Sequence, residues 1–438
     1  MTQIKRLFGL ALTLLSVVTS TAQTNGCNSS YSRFGLGLPC DQSQGFNRAM
    51  SGVAQGFRSK TQVNKQNPAS YSDIDSLTFI FDIGMGLQMA RMSGNGTSAK
   101  VNNTTLEYVN AGFRITPNLG MSLGFVPFST IGYNFNTSNR VGSSPTSLQP
   151  ITTLTTYYGN GGLHELYIGT GWSPFGNFSI GANIGYLWGD YNHSLAQSFY
   201  EGGELSKTYN TQNEVWSSDL KTFRLDIGVQ YPIKISSDQK LTLGATAGIG
   251  HRIKSDVELL RYTSLGDSIS NKVSEAFDLP YTIIAGASWQ QNDKLTIGLD
   301  YGYERWKGCR VPTSYATSTG SGIGIVKDQY KNRHHISAGA EYVHNILSRK
   351  YRERIRYRMG LSYSSSYLNV NGDNGPWEYG LTAGAALPLK TSTRSLINVS
   401  AEWLHRVPGV KGQIKENYLM LHLGITFNEA WFMKWKFQ

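Results

Sequence analysis

A chain of 438 residues that is 16% charged and 12% aromatic, with 48 glycines and a formal net charge of +11, is too polar for a bundle of membrane helices, and its mean hydropathy of -0.30 says the same. Past the first residues no run of eighteen apolar residues occurs, so any crossing of a bilayer is made by strands. The mixture fits strands that turn one side to lipid and the other to a polar interior. The basic balance calls for no nucleic acid, because an anionic outer leaflet or an acidic partner accounts for it and no DNA-binding motif is present.

In chain order, residues 1–22 read as a secretory signal: Lys5 and Arg6, the apolar stretch Leu7 to Val18, then the small residues Ser20-Thr21-Ala22. Cleavage there starts the mature chain at Gln23 and leaves 38 basic against 29 acidic residues. Lipid attachment at Cys27 is the competing reading, but Thr24-Asn25-Gly26 lacks the apolar residue such a site carries. Cys27 and Cys40 stand close enough in sequence for a local disulfide in an oxidising compartment; the alternative is two free thiols. Cys309 has no evident partner. Residues 23–76 show no alternation and are rich in Gly, Ser, Asn and Pro, which argues against wall strands.

From Leu77 the pattern changes. Leu77, Phe79, Phe81, Ile83, Met85, Leu87 and Met89 alternate with Thr78, Ile80, Asp82, Gly84, Gly86, Gln88 and Ala90, the period of a strand with one greasy face. Similar segments run 77–91, 105–116, 119–133, 163–173, 177–190, 219–235, 239–255, 278–291, 294–308, 333–345, 355–369, 376–389, 394–406 and 415–428. That is fourteen strands, an all-β, antiparallel transmembrane barrel with an even strand number. Tight turns such as Pro117-Asn118, Ser236-Ser237-Asp238 and Gln291-Asn292-Asp293 alternate with the polar connections 134–162, 191–218, 256–277 and 309–332. The short ones are expected inside and the long ones outside the cell. One inner turn, Ser348 to Arg354, is basic. Tyr133, Trp172, Trp188, Trp289, Trp306 and Trp403 sit near strand ends, where amphipathic rings favour the headgroup zone.

A ring of fourteen strands is too wide for its own side chains to fill, so residues 23–76 are expected in the lumen as a plug and 77–438 as the wall. Inward Asp82, Arg114, Arg224, Asp226, Asp300 and Glu341 would then interlock with Arg48 and Arg58 of the plug, since a buried charge is costly unless paired. The alternative is a wet channel lined by solvated charges. No nucleophile-base-acid trio is suggested by spacing, and His334 and His335 point to opposite faces of a strand. No enzyme, cofactor or metal site is expected.

Ser51-Gly52-Val53-Ala54-Gln55-Gly56-Phe57, followed by Gln66-Asn67-Pro68-Ala69-Ser70, resembles the N-terminal hatch of the FadL-type outer-membrane transporters. The resemblance covers essentially the whole mature chain. It implies a barrel of fourteen strands whose hatch, here Gly52, Ala54, Asn67, Pro68 and Ala69, shifts to pass hydrophobic small molecules such as fatty acids or aromatic hydrocarbons. It also implies a lateral opening at a kink in the third strand, for which Gly124 and Pro127 are the candidates; a proline tolerated at a bulge is the other reading. The connections 134–162 and 191–218 are more polar than that family's capture loops. The tail from Phe427 to Phe437 looks like that of barrels of the Bacteroidota. Two functions follow: passive transport of a hydrophobic ligand, towards which the family resemblance leans, or a scaffold or accessory subunit with outer-membrane or periplasmic protein partners in a secretion or barrel-assembly machine. In both, outer-membrane lipid surrounds the wall.

Overall fold

The computed structural model describes residues 28–94, 96–143, 149–317, 320–370, 372–389 and 394–429. The signal assigned to residues 1–22, Cys27 of the cysteine pair and the last nine residues lie outside them. The wall strands are β1 Phe79–Gly94, β2 Thr97–Thr116, β3 Leu119–Pro127 with its outer arm Ser129–Ser143, β4 Pro150–Phe175, β5 Phe178–Glu201, β6 Gln212–Lys234, β7 Gln239–Gly248, β8 Tyr281–Gln291, β9 Leu295–Arg305, β10 Arg333–Val343, β11 Arg356–Ser364, β12 Trp377–Pro388, β13 Leu396–Val407 and β14 Lys415–Glu429. Each pairs antiparallel with the next, and β14 returns to β1 through a ladder from Phe79↔Glu429 to Ser93↔Lys415. The barrel is closed, with the expected fourteen strands.

The alternation that forms the strands also decides which way each side chain points. Leu87, Ile168, Ile184, Phe223, Leu299, Leu361 and Leu421 face outward and stay exposed, as a lipid-facing band requires. The other face is polar and buried: Asn110, Ser122, Asn183, Gln230, Thr242, Ser288, Ser337, Thr382 and Asn398. Their burial comes from the chain N-terminal to β1, which packs against them from Ser29 to Ile74.

Four expectations need correction. The connections 134–162 and 191–218 are largely strand, because the outer arm of β3, β4, β5 and β6 continue past the apolar band as one sheet. Their Thr- and Tyr-rich stretches, such as Thr152 to Tyr158, favour extended backbone without needing a greasy face. The connections 256–277 and 309–332 fold back as the hairpins Asp256–Thr263 with Ser268–Ser274 and Val311–Thr317 with Gly320–Val326. The strand expected over 239–255 stops at Gly248. Tyr133 and Trp306 are 6% and 5% exposed and turn inward, away from lipid. The basic turn contains one 3-10 turn, Tyr351–Arg354.

Strand β3 breaks at Phe128. Before the break β3 pairs with β2 from Thr116↔Leu119 to Val109↔Phe125 and with β4 up to Pro127↔His164. After it the ladder to β4 resumes at Ile131↔Gly161. Opposite the break Gly161 and Gly162 hold φ of 131° and 126°, and a side chain on Gly162 would stand 2.8 Å from the Thr130 Cα. The wall bends there, and the outer arm of β3 parts from β2.

Candidate functional site

The chain inside the ring is held by its backbone. Asn67 accepts from Ala69 N at 3.2 Å and so caps the turn Pro68–Asp73, in which Pro68 occupies the first position, where a missing N–H costs nothing. Its Nδ2 donates to Gln55 O (3.0 Å) and to Val229 O of β6 (3.2 Å). From the wall, Asp300 accepts from Ala54 N and Gln55 N at 2.6 and 2.9 Å. Gln230 donates to Gln55 O at 2.7 Å, Asn183 to Lys65 O at 2.9 Å and Thr382 to Ala49 O at 2.8 Å. Glycines on the wall let these backbones come so close. A Cβ on Gly181 would lie 2.6 Å from Ala69 N, and one on Gly244 would overlap Gln55 O.

Charge adds to that seat. Lys65 reaches Glu165 of β4 at 2.7 Å, the two side chains being 3% and 0% exposed, and Arg224 approaches the same carboxylate at 3.7 Å. Arg358, paired with Glu341 at 2.6 Å, also donates to Gly45 O at 3.2 Å. Burial lowers the pKa of Lys65, and Glu165 counters it.

Nearer the outer mouth the leading residues make a second set of contacts with the wall. Leu38–Pro39 pairs as a short strand with Ser129 and Thr130, Cys40 N donates to Phe128 O at 2.9 Å, and Ser32 Oγ both donates to Gly132 O and accepts from Gly132 N. Ser29 donates to Glu416 at 2.7 Å. Leu36 enters an apolar cluster with Ile131, Tyr133, Leu163, Tyr191 and Phe277, and Tyr31 and Leu38 enter another with Trp306, Tyr330 and Tyr367. Between these two sets of contacts lies a cavity of about 430 Å³.

Paired ionic side chains line that cavity together with apolar ones such as Leu87, Leu106, Ile284 and Met420. Arg333 bridges Glu304 (3.3 Å) and Glu378 (2.8 Å), and Arg406 bridges Glu378 (2.9 Å) and Glu416 (2.7 Å). Arg48 holds Asp41 at 2.6 Å and Glu107 at 3.5 Å, while His422 Nδ1 lies 2.6 Å from Glu107. Although the lumen disfavours the charged form of Asp41, the Arg48 guanidinium holds its carboxyl below the usual range. No group of His, Cys, Asp and Glu suited to a metal ion occurs among the described residues.

A family model described as BamG matches residues 3–438. The chain belongs to the BamG family. No curated protein matches it in sequence. Among solved structures, the toluene transporter TodX of Pseudomonas putida aligns with TM-score 0.56 at 13% identity over 90% of this chain and 99% of that one. The toluene transporter TbuX of Ralstonia pickettii gives 0.57 at 13% over 88% and 98%, and a FadL homologue of Pseudomonas aeruginosa 0.57 at 11% over 90% and 99%. At such identity the likeness is one of fold, and it is the fold that the FadL resemblance implies.

In this BamG-family chain the residues singled out from sequence distribute unevenly. Gly52, Ala54, Asn67, Pro68 and Ala69 all lie in the seated segment, and Arg48 and Arg58 with them. Arg58 bonds Ser179 of β5 at 2.9 Å and approaches Asp73 at 3.7 Å. Asp300 meets backbone N–H groups rather than a cation. Asp226 pairs with Arg224 at 2.9 Å along β6, and Asp82 accepts from Thr426 at 3.0 Å. Arg114 does not join the plug, because it is spent on the turn, donating to the carbonyls of Thr116 and Pro117. Gly124 sits inside the β3 ladder opposite Asn110, and Pro127 is the last residue before the break. Cys40 lies beside that break, but its expected partner Cys27 is outside the described residues. Sequence reading missed Glu165 and the Arg333–Glu378–Arg406–Glu416 row. The signal for Glu165 was its parity with Tyr167 in an alternating strand; the row needed the strand order around the ring.

Proposed function

We propose that this BamG-family barrel resides in the outer membrane as a non-transporting accessory subunit of a multiprotein machine, with residues 23–76 kept in its lumen as a permanent plug. One observation carries this reading: the N-terminal segment contacts the wall at two levels, and ion pairs such as Arg333–Glu378 and Arg48–Asp41 are among the groups lining the space between. An apolar solute entering it would desolvate those charges without offering them partners. The long outer sheet, polar and extended, suits contact with protein better than capture of hydrocarbon. Membership of the BamG family favours barrel assembly over secretion as the task of the machine.

Passive transport of a hydrophobic molecule is the second reading, favoured by the break at Phe128 and by the fold shared with toluene transporters. The deciding experiment is purification from native outer membrane in mild detergent, followed by mass spectrometry of what accompanies the chain in stoichiometric amount. A protein complex free of small-molecule ligand is expected. A bound fatty acid or hydrocarbon with no protein partner would overturn the subunit reading and support transport.

A further inference from the structure

Past the break in β3, the edges of β2 and of the outer arm do not pair with each other among the described residues. Strand β2 pairs with β1 along Thr97–Phe113, but its other edge meets β3 only from Val109 inward. The outer arm of β3 pairs with β4 from Ile131 to Ser143. On its far side the structure gives it one strand partner among the described residues, Leu38–Pro39 at Ser129 and Thr130. Both backbone groups of Gly132 turn towards that side, since both bond Ser32 Oγ. Strand alternation then turns the N–H and C=O of Asn134, Asn136 and Ser138 the same way. Most exposed apolar residues of β4, Leu166, Ile168, Trp172 and Phe175, lie beyond the stretch 150–161 with which the outer arm pairs; within that stretch Tyr158, opposite Asn134, is the exposed ring, and an amphipathic ring suits the border of the lipid band. Beyond Asn134 the edge therefore stands outside the lipid band, in water.

We propose that this edge of the β3 outer arm, from Asn134 to Arg140, is the docking site for an extended acidic segment of a partner protein, added to the sheet as a further strand. Three observations support it. An exposed edge of this length is ordinarily covered or blunted, and strand addition is a common way to cover one. The chain already shows that the edge accepts a strand, because Leu38–Pro39 lies on its first two residues, in line with the open stretch. The two facing edges supply the sign of the charge: Lys100 on β2 and Arg140 on the arm are exposed, while Glu107 on β2 points into the lumen and is already paired. Lipid phosphates meet the charge but offer no ladder of backbone groups, so the edge favours a polypeptide.

The proposal rests on the accessory-subunit reading and is tested in the full chain in its own outer membrane. A photo-crosslinking side chain is placed in turn at Asn134, Asn136 and Ser138. The expected product joins one polypeptide from all three sites, with contact points about two residues apart along the partner, in a segment with more Asp and Glu than Lys and Arg. Proline is admissible on an edge strand but removes the N–H that faces the partner. Asn136→Pro is thus expected to cut the copurified partner about ten-fold while the barrel still runs as a folded species, and Lys100→Glu with Arg140→Glu is expected to do the same without touching the backbone. Crosslinks to lipopolysaccharide alone, or none, would overturn the proposal. A stoichiometric complex that survives both variants unchanged overturns the docking site and leaves the subunit reading standing. Absence of any protein complex from the unsubstituted chain overturns both.

Discussion

At the scale of single residues, the inner segment depends on a few side chains that satisfy its backbone. Asp300 takes two N–H groups at once, and replacing it with Ala would leave Ala54 N and Gln55 N without that acceptor. The expected cost is about 2–4 kcal/mol, read as faster amide exchange at those two residues and a lower thermal midpoint. Asp300→Asn keeps an acceptor and should cost less. Gly244→Ala drives a methyl into Gln55 O, a backbone atom tied down by Gln230, so a loss of about 1–3 kcal/mol is expected. Gly302→Ala is the control, since the nearest atom to its new methyl stands at 3.6 Å and no change is expected. Asp41 gives a pH dependence. Its pKa in the folded chain lies below the ordinary 3.8, so its stabilisation is complete above that value and is lost as pH falls through the lower one. Amide exchange around Asp41 to Gly52, corrected for intrinsic rates, should stay slow from neutral pH to about 4 and quicken only at lower pH. Asp41→Asn should be fast throughout.

At the scale of elements, the inner segment consists of two pieces with separate anchors. The turn Pro68–Asp73 and its approach from Gly45 are seated on the glycine-lined inner half of the wall, whereas Ser29 to Gln42 are held by the outer sheet and its aromatic clusters. Cutting Tyr31, Leu36 and Leu38 back to Ala together removes the apolar anchors of the outer piece only. The expected outcome is proteolysis at the leading residues in intact cells while the deeper piece stays protected. Loss of protection in both pieces would show one cooperative unit. The break at Phe128 belongs to this scale too. Proline alone did not predict where the strand would restart or which partner it would lose, because that depended on two consecutive glycines in the neighbouring strand.

At the scale of the whole molecule, an inside-out distribution of side chains makes a barrel whose wall is stable only in lipid and whose lumen must be filled. If the N-terminal segment is a permanent plug, as proposed, the protein reconstituted in planar bilayers should give no steady ion conductance. Arg58→Ala loosens the plug by removing its bonds to Ser179 and Ser72, and brief openings are expected above the unsubstituted background. Open channels of porin size from the unsubstituted protein would exclude a permanent plug.

Strand number, the outward apolar face and the non-alternating leader were legible from sequence because they are local: a period of two residues is read wherever it occurs, and its absence over residues 23–76 is equally visible. The Asn-Pro-Ala turn was legible for the same reason, as a cap followed by a residue that needs no N–H. Pairing was not. Arg114 and Arg224 look alike in an alternating strand, yet one lies beside a turn whose carbonyls take its donors, and the other lies across from Glu165 on a strand distant in sequence. The long polar connections looked irregular because outside the bilayer nothing forces an apolar face on a strand, and only their ladders to one another reveal them. The sequence by itself determined a lipid-facing wall with something inside it. The tertiary structure decided what that interior is, because the closeness of wall and segment, the row of ion pairs and the parting of β3 from β2 arise from strands brought together around a ring.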